Sequence, residues 1–224
     1  MQQENTFAER VLNFYENNPG WASGDMVITS PWTEPDRRNA ITEFYQKFFS
    51  DNQSRTYVLG INPGRFNATS TGIPYTDGQA LECTYGIANP FSKSREMVAT
   101  FIEKVVIAYG GSEAFYSEHY AGAVFPFEVL VRGEYRNYYE ADVWENLRSA
   151  ILDCLKKMAG FGSNRRVVIL GSADNKRYFD ELNAEVGLFE VAGVLDHPRY
   201  IMQYKRDHVD DYVASYVDVL RSAA

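Results

Sequence analysis

Two residues of this chain stand where chemistry is often placed. Asn62 follows the apolar run Tyr57-Val58-Leu59 and precedes Pro63; His197 follows an apolar run ending at Leu195 and precedes Pro198. Both runs read as buried strands. The first ends in Gly60-Ile61-Asn62-Pro63-Gly64. Proline removes a backbone donor and glycine permits backbone angles that other residues resist, so that strand stops abruptly. Asn62 is thereby held at a carboxyl strand end, the edge where open α/β sheets bind ligands. If the two strands are parallel neighbours, both side chains emerge at one crevice. An amide carbonyl can orient a water while its N–H donates. An imidazole can donate to developing negative charge. Each residue also has an ordinary role: Asn bonds its own backbone in turns, and His197 can cap a turn beside Asp196. His119, in a polar Tyr/Glu stretch, and His208, beside Asp207, read as surface residues.

The elements that would position these groups alternate along the chain. Helical spacing is predicted over residues 7–15 and 36–49, and strands over 57–61, 121–125, 165–170 and 189–195. Further helices are predicted over 95–109 (capped by Ser94), 141–158, 174–185 and 207–221. Residues 62–90 read as one Gly/Asn/Thr/Ser-rich loop, long enough to be functional. Apolar strands alternating with amphipathic helices give an α/β fold. The expectation is a single-domain three-layer α/β/α sandwich with a central, mostly parallel four-stranded sheet. It would span residues 1–224, with the helices of 1–54 packing on the core. No Gly-x-Gly-x-x-Gly dinucleotide fingerprint and no phosphate-cradling Walker motif is present.

Composition narrows the function classes. The 224 residues are 45% hydrophobic, with 14 Phe and 16 Tyr, enough for a sizeable core. A net charge of −8 argues against duplex DNA binding by bulk electrostatics, though not against a local basic groove. Cys83 and Cys154 have no metal-type spacing and are too few for an iron–sulfur cluster. They read as buried or half-buried thiols in a reducing compartment. The first residues are neither basic nor apolar, and no window has the length of a membrane span. The expectation is a cytoplasmic monomer with no membrane partner, no metal and no cofactor.

The segment GINPGRFNATSTGIPY, residues 60–75, resembles the first motif of the uracil-DNA glycosylase superfamily. The branch is the single-strand-selective monofunctional (SMUG-like) one, whose motif runs Gly-Met-Asn-Pro-Gly-x-Phe and then Thr-Gly-Val-Pro-Phe with the same spacing. Val194-Leu195-Asp196-His197-Pro198-Arg199 looks like the second motif, and residues 167–171 look like the penultimate strand. The resemblance covers about residues 55–221, with element boundaries good to about 2–4 positions.

The resemblance implies a uracil-DNA glycosylase-like fold and a DNA glycosylase of base excision repair acting on a flipped, deaminated base. It implies that Asn62 holds the hydrolytic water and that His197 stabilises the departing base. Tyr75 would stack on that base. Ile61, Gly64 and Phe66 would line the pocket. Pro198, Arg199 and Tyr200 would form a loop entering the DNA, with Gly72 and Pro74 also on the DNA side. Lys205 and Arg206 would add local positive charge; Lys93, Arg95, Arg165 and Arg166 are weaker phosphate candidates.

This chain departs from the pattern in three respects, of which its acidic charge is one. The second motif lacks its second Ser-Pro pair. Alignment on Pro126 puts Ala123 where the branch has an Asn reading the pyrimidine edge. Both suggest a divergent bacterial sub-branch with a base range wider than uracil, xanthine included. They also leave open a non-catalytic single-stranded DNA or nucleotide binding module on the same fold. A third reading gives water activation to Asp77 or Asp196. No lysine nucleophile stands in the motifs, so no lyase step is expected.

Overall fold

The computed structural model describes residues 5–65 and 70–224. Its main sheet is built from β3 (Arg55–Gly60), β4 (His119–Ala123), β7 (Ser163–Leu170) and β8 (Glu190–Leu195). Their order is β4-β3-β7-β8 and every pairing is parallel. β3 is buried along its whole length, as a central parallel strand must be. The expected strand over 121–125 begins two residues earlier, at His119. Past Ala123 the pairing continues as irregular backbone, with Val124 N–H donating to Gly60 O at 2.9 Å and Phe125 N–H to Ile61 O at 3.3 Å.

Helices cover both faces. Thr56 Oγ1 donates to Ala223 O of α9 (Val209–Ala223) at 2.6 Å, whereas the Tyr57 hydroxyl donates to Met158 O of α6 (Ala141–Ala159) at 2.6 Å. Consecutive strand residues point to opposite faces, so α9 and α6 form the two outer layers. α4 (Met97–Tyr109) packs on α9, and α7 (Asp174–Val186) accompanies α6 against β7. The amino-terminal α1 (Phe7–Glu16) starts with a Thr6/Glu9 capping box. It buries Phe7 against Phe49, Tyr57 and Tyr120, next to α2 (Pro35–Phe48).

The sequence patterns did not indicate a second sheet. β1 (Gly20–Ser23), β2 (Met26–Thr29), β5 (Glu128–Val131) and β6 (Glu134–Tyr135) form an antiparallel ladder in the order β1-β2-β5-β6. With two to four residues each, none offers a readable period. Nor is the 62–90 segment one loop. Asp77 caps a short α3 (Gly78–Cys83) by accepting the Ala80 N–H at 2.8 Å. A further short helix, α5 (Ser112–Glu118), leads into β4.

Two surface and thiol expectations are corrected. His119 is fully buried, between the rings of Tyr109 and Phe115, because it opens β4 rather than ending a loop. Neither ring nitrogen has a hydrogen-bond partner. Cys83 is exposed at the end of α3; only Cys154 is buried, and both are free thiols. Beneath the sheet, buried Arg55 is held by both oxygens of Asp51, by the carbonyls of Phe48, Gln53 and Tyr116, and by the faces of Phe7 and Phe49.

Burial lowers the His119 pKa from 6.5 to about 4, with Glu118 opposing the shift. Between those values the unfolded chain binds more protons than the native one, so stability falls as pH drops through the window. His119→Phe keeps an aromatic ring among Tyr109 and Phe115 and removes the proton site. Urea midpoints at pH 7 and pH 5 should differ less in this variant than in the wild type; an unchanged difference would refute the assignment.

Candidate active site

Asn62 lies two residues beyond β3 and is half-buried. Its amide is gripped at both ends. Nδ2 donates to Arg136 O at 3.1 Å, and Oδ1 accepts the Tyr138 N–H at 3.0 Å. A backbone N–H only donates and a carbonyl only accepts, so this clamp fixes which end of the amide is which. One Oδ1 lone pair and one N–H remain for other partners. The clamp is anchored below: the Tyr138 hydroxyl donates to Asn175 Oδ1 at 2.9 Å, and Asn175 Nδ2 donates to Leu170 O, the end of β7, at 2.9 Å. Asn175 is buried, and Glu140 Oε1 holds the Asn137 N–H at 2.7 Å.

His197 lies two residues beyond β8 and caps α8 (Pro198–Tyr204). Its Nδ1 accepts the Arg199 N–H at 3.1 Å. An accepting Nδ1 carries no proton, so the neutral ring bears its hydrogen on Nε2. Burial first, and the Arg199 charge second, take the pKa down to about 4. At neutral pH His197 is therefore an uncharged N–H donor.

β3 and β8 are not neighbours; β7 runs between them. Two inter-strand steps put their ends about 10 Å apart. A tyrosine hydroxyl meets the backbone at each end. The Tyr135 hydroxyl lies 3.3 Å from Asn62 O and feels the charge of Arg199. The Tyr216 hydroxyl donates to Asp196 O and also feels Tyr75. Tyr75 has φ +58°, and its hydroxyl donates to Gly122 O at 2.8 Å. A Cβ at position 60 would stand 2.1 Å from that hydroxyl oxygen, so Gly60 is what lets Tyr75 cross the strand end.

A family model described as the uracil DNA glycosylase superfamily matches residues 46–221. The chain belongs to this superfamily. Among solved structures, wild-type SMUG2 of Pedobacter heparinus is similar, with a TM-score of 0.87 and 31% identity over 97% of each chain. No curated protein matches. The chain is thus a SMUG-like superfamily member with the three-layer fold.

The remaining residues named from the superfamily motifs fall as follows. Ile61 is half-buried and its carbonyl accepts from Phe125; Gly64 is exposed; Phe66 lies outside the described residues. Ala123 ends β4 opposite Gly60 and is buried. Gly72 is explained by packing: its φ is +80°, and a Cβ there would stand 2.8 Å from a Pro31 side-chain carbon and 2.9 Å from one of Ile41. Pro74 is half-buried. Pro198, Arg199 and Tyr200 do not form a loop: Pro198 is the buried first residue of α8, as its fixed φ favours, and only Arg199 and Tyr200 are exposed. Tyr200 pairs with the exposed Tyr204 one turn on, at 5.5 Å between ring centres.

The charged candidates divide. Half-buried Lys205 and exposed Arg206 follow α8, with Arg206 Nε donating to Met202 O. Arg165 and Arg166 start β7, at the opposite edge of the sheet from Asn62, and bond the carbonyls of Gly187, Ser222 and Ala224. Lys93 and Arg95 pair with Glu82, Asp77 and Glu103. Asp77 is buried; one oxygen caps α3 through the Ala80 N–H and the other holds the N–H of Glu96, the residue that caps α4, so both oxygens already have structural partners. Asp196 accepts from Ser172 Oγ at 3.0 Å.

Tyr135, Tyr138, Asn175 and Tyr216 escaped the sequence reading, because nothing in a Tyr-rich stretch or in an Asn on the first turn of a helix marks them. A surface cleft of about 470 Å³ among Lys104, Met202, Arg206, Asp207, Val209 and Asp210 does not include Asn62 or His197. Among the described residues no group of three or more His, Cys, Asp or Glu could hold a metal ion. None of their helices is long and apolar enough to cross a membrane.

Asn175→Leu leaves the buried Leu170 carbonyl without its side-chain partner and leaves the Tyr138 hydroxyl only the longer, 3.2 Å bond to the residue 175 carbonyl. An unmade buried hydrogen bond costs about 1–3 kcal/mol, so the urea midpoint should fall by that equivalent with an unchanged m-value. A neutral substitution would show that the clamp has no anchor at Asn175.

Proposed function

We propose that this chain is a monofunctional DNA glycosylase that hydrolyses the N-glycosidic bond of uracil, or a related deaminated base such as xanthine, in DNA. It would act in base excision repair in the cytoplasm, as a monomer. The observation that carries the reading is the pairing of an oriented Asn62 amide with a neutral His197 donor at one edge of the sheet, within a uracil-DNA glycosylase superfamily chain.

Cleavage builds positive charge on the sugar and negative charge on the leaving base, an oxocarbenium-like transition state. The free lone pair of Asn62 Oδ1 can accept from a water and aim it at the sugar carbon. The Nε2–H of His197 can donate to the ring oxygen where leaving charge collects. A neutral donor suffices because a deaminated base spreads that charge over its carbonyls. No strong base is needed when bond breaking precedes water attack.

The base must first leave the stack, which costs a few kcal/mol and least for unpaired or mismatched bases. Tyr75, tethered through its hydroxyl to Gly122, offers a fixed ring for stacking, worth on the order of 1–3 kcal/mol. Arg199 and Tyr200 on the first turn of α8 would meet the backbone and the vacated stack beside His197. With Lys205 and Arg206 they supply a local basic surface on an acidic chain, so the salt dependence should be shallow. The products would be the free base and an uncut abasic strand.

Asn62→Ala removes the acceptor that aims the water and His197→Ala removes the donor to the leaving base; each should slow single-turnover uracil release by about 10²–10³-fold, since losing one preorganised polar group of this kind costs about 2.7–4 kcal/mol. Wild-type rates in both variants would remove the assignment. Tight binding by the wild type with no base released would replace it with a binding module. The His197 pKa of about 4 lies below its ordinary 6.5, so the neutral donor persists from pH 8 to about pH 5. The rate should be flat over that range and change only as pH approaches 4. A step near pH 6.5 would contradict the half-buried, neutral imidazole.

A further inference from the structure

With Ala123 at the end of β4, no side-chain amide stands where the SMUG-like branch reads the edge of the base. Another polar group borders Asn62, two residues beyond the Gly60 that pairs with Ala123. Tyr135 comes from the short second sheet, and its half-buried hydroxyl lies 3.3 Å from Asn62 O and 3.2 Å from Asn137 Oδ1. Both distances exceed the usual 2.7–2.8 Å for a hydroxyl donor. One proton serves two acceptors, so whichever it chooses, the oxygen keeps lone pairs to spare. The hydroxyl also lies within reach of the Arg199 charge, two residues from His197. It therefore stands at the Asn62 end of the site and is committed as a donor but open as an acceptor.

We propose that the Tyr135 hydroxyl is a specificity-determining group that accepts a hydrogen bond from the ring N–H of the extruded base. Resting on the glycosylase reading, the proposal names how that site reads its substrate. Deamination of cytosine to uracil turns a ring nitrogen from a lone-pair acceptor into an N–H donor. Xanthine and hypoxanthine carry the same kind of ring N–H, which adenine lacks. An acceptor-only contact fits all three deaminated bases and opposes a cytosine or adenine lone pair. It is less exacting about ring size than a two-pronged amide, which agrees with a wide base range.

The test is a two-by-two comparison of wild type and Tyr135→Phe. Uncleavable 2′-fluorinated oligonucleotides carry either uracil or 3-methyluracil, which lacks the ring N–H. Binding is read by fluorescence anisotropy, and urea midpoints check that both proteins fold. The wild type should prefer uracil by tenfold or more. In Tyr135→Phe the preference should shrink to within about twofold, chiefly through weaker uracil binding. In parallel, uracil release from a cleavable strand should fall about tenfold in kcat/KM, a loss of the order of one hydrogen bond. An equal preference for uracil in both proteins would overturn the proposal and leave Tyr135 as a support for the loop. A wild type that prefers uracil in binding yet releases none would overturn the glycosylase reading while upholding this contact.

Discussion

The two-ended grip on the Asn62 amide is the constraint on which the rest of the site depends. An amide can flip at little cost in water, and a flipped one would present N–H groups where a water needs an acceptor. Here the Arg136 carbonyl and the Tyr138 N–H allow one orientation. Tyr138 is itself held by a buried relay through Asn175 to the end of β7. The central strand thus sets the geometry on both of its sides: it separates β3 from β8 by a fixed distance and anchors the clamp over β3.

Burial does a second job at the other strand end. His197 is kept neutral by loss of solvent and by Arg199, and its tautomer is set by the same residue's N–H. A charged imidazole would be a stronger donor, but it would lose the Nδ1 acceptor that caps α8. The helix start and the side-chain chemistry are therefore one arrangement. Pro198 completes it, since its missing N–H costs nothing at the first helical position.

The small antiparallel sheet gives the fold its functional reach. It ends in β6, and the chain leaving β6 passes over Asn62 before entering α6. Without that excursion the parallel sheet would present Asn62 and His197 on bare strand ends. Exposed Arg199, Tyr200 and Tyr204 on α8 then provide cationic and aromatic surface close to His197, although the chain as a whole carries a charge of −8. Local placement, not net charge, is what suits such a protein to nucleic acid.

Long, strongly patterned segments were legible in the sequence. The main helices and all four parallel strands appear within a few residues of where apolar spacing put them, because burial on one or both faces writes a period into the chain. Asn62 and His197 were legible too, since proline and glycine mark strand ends locally. The two-to-four-residue strands, the capped α3 and the helical form of residues 198–204 carry no such period and were missed. His119 shows the same limit in reverse: its polar neighbours suggest surface, but the strand register buries it. What the sequence alone determined was the main helices, the four parallel strands and the two residues just past β3 and β8. Only the tertiary structure decided that β7 separates them, which groups orient the amide, and that Tyr135 meets the Asn62 backbone, because each of those facts is a contact between segments remote in the chain.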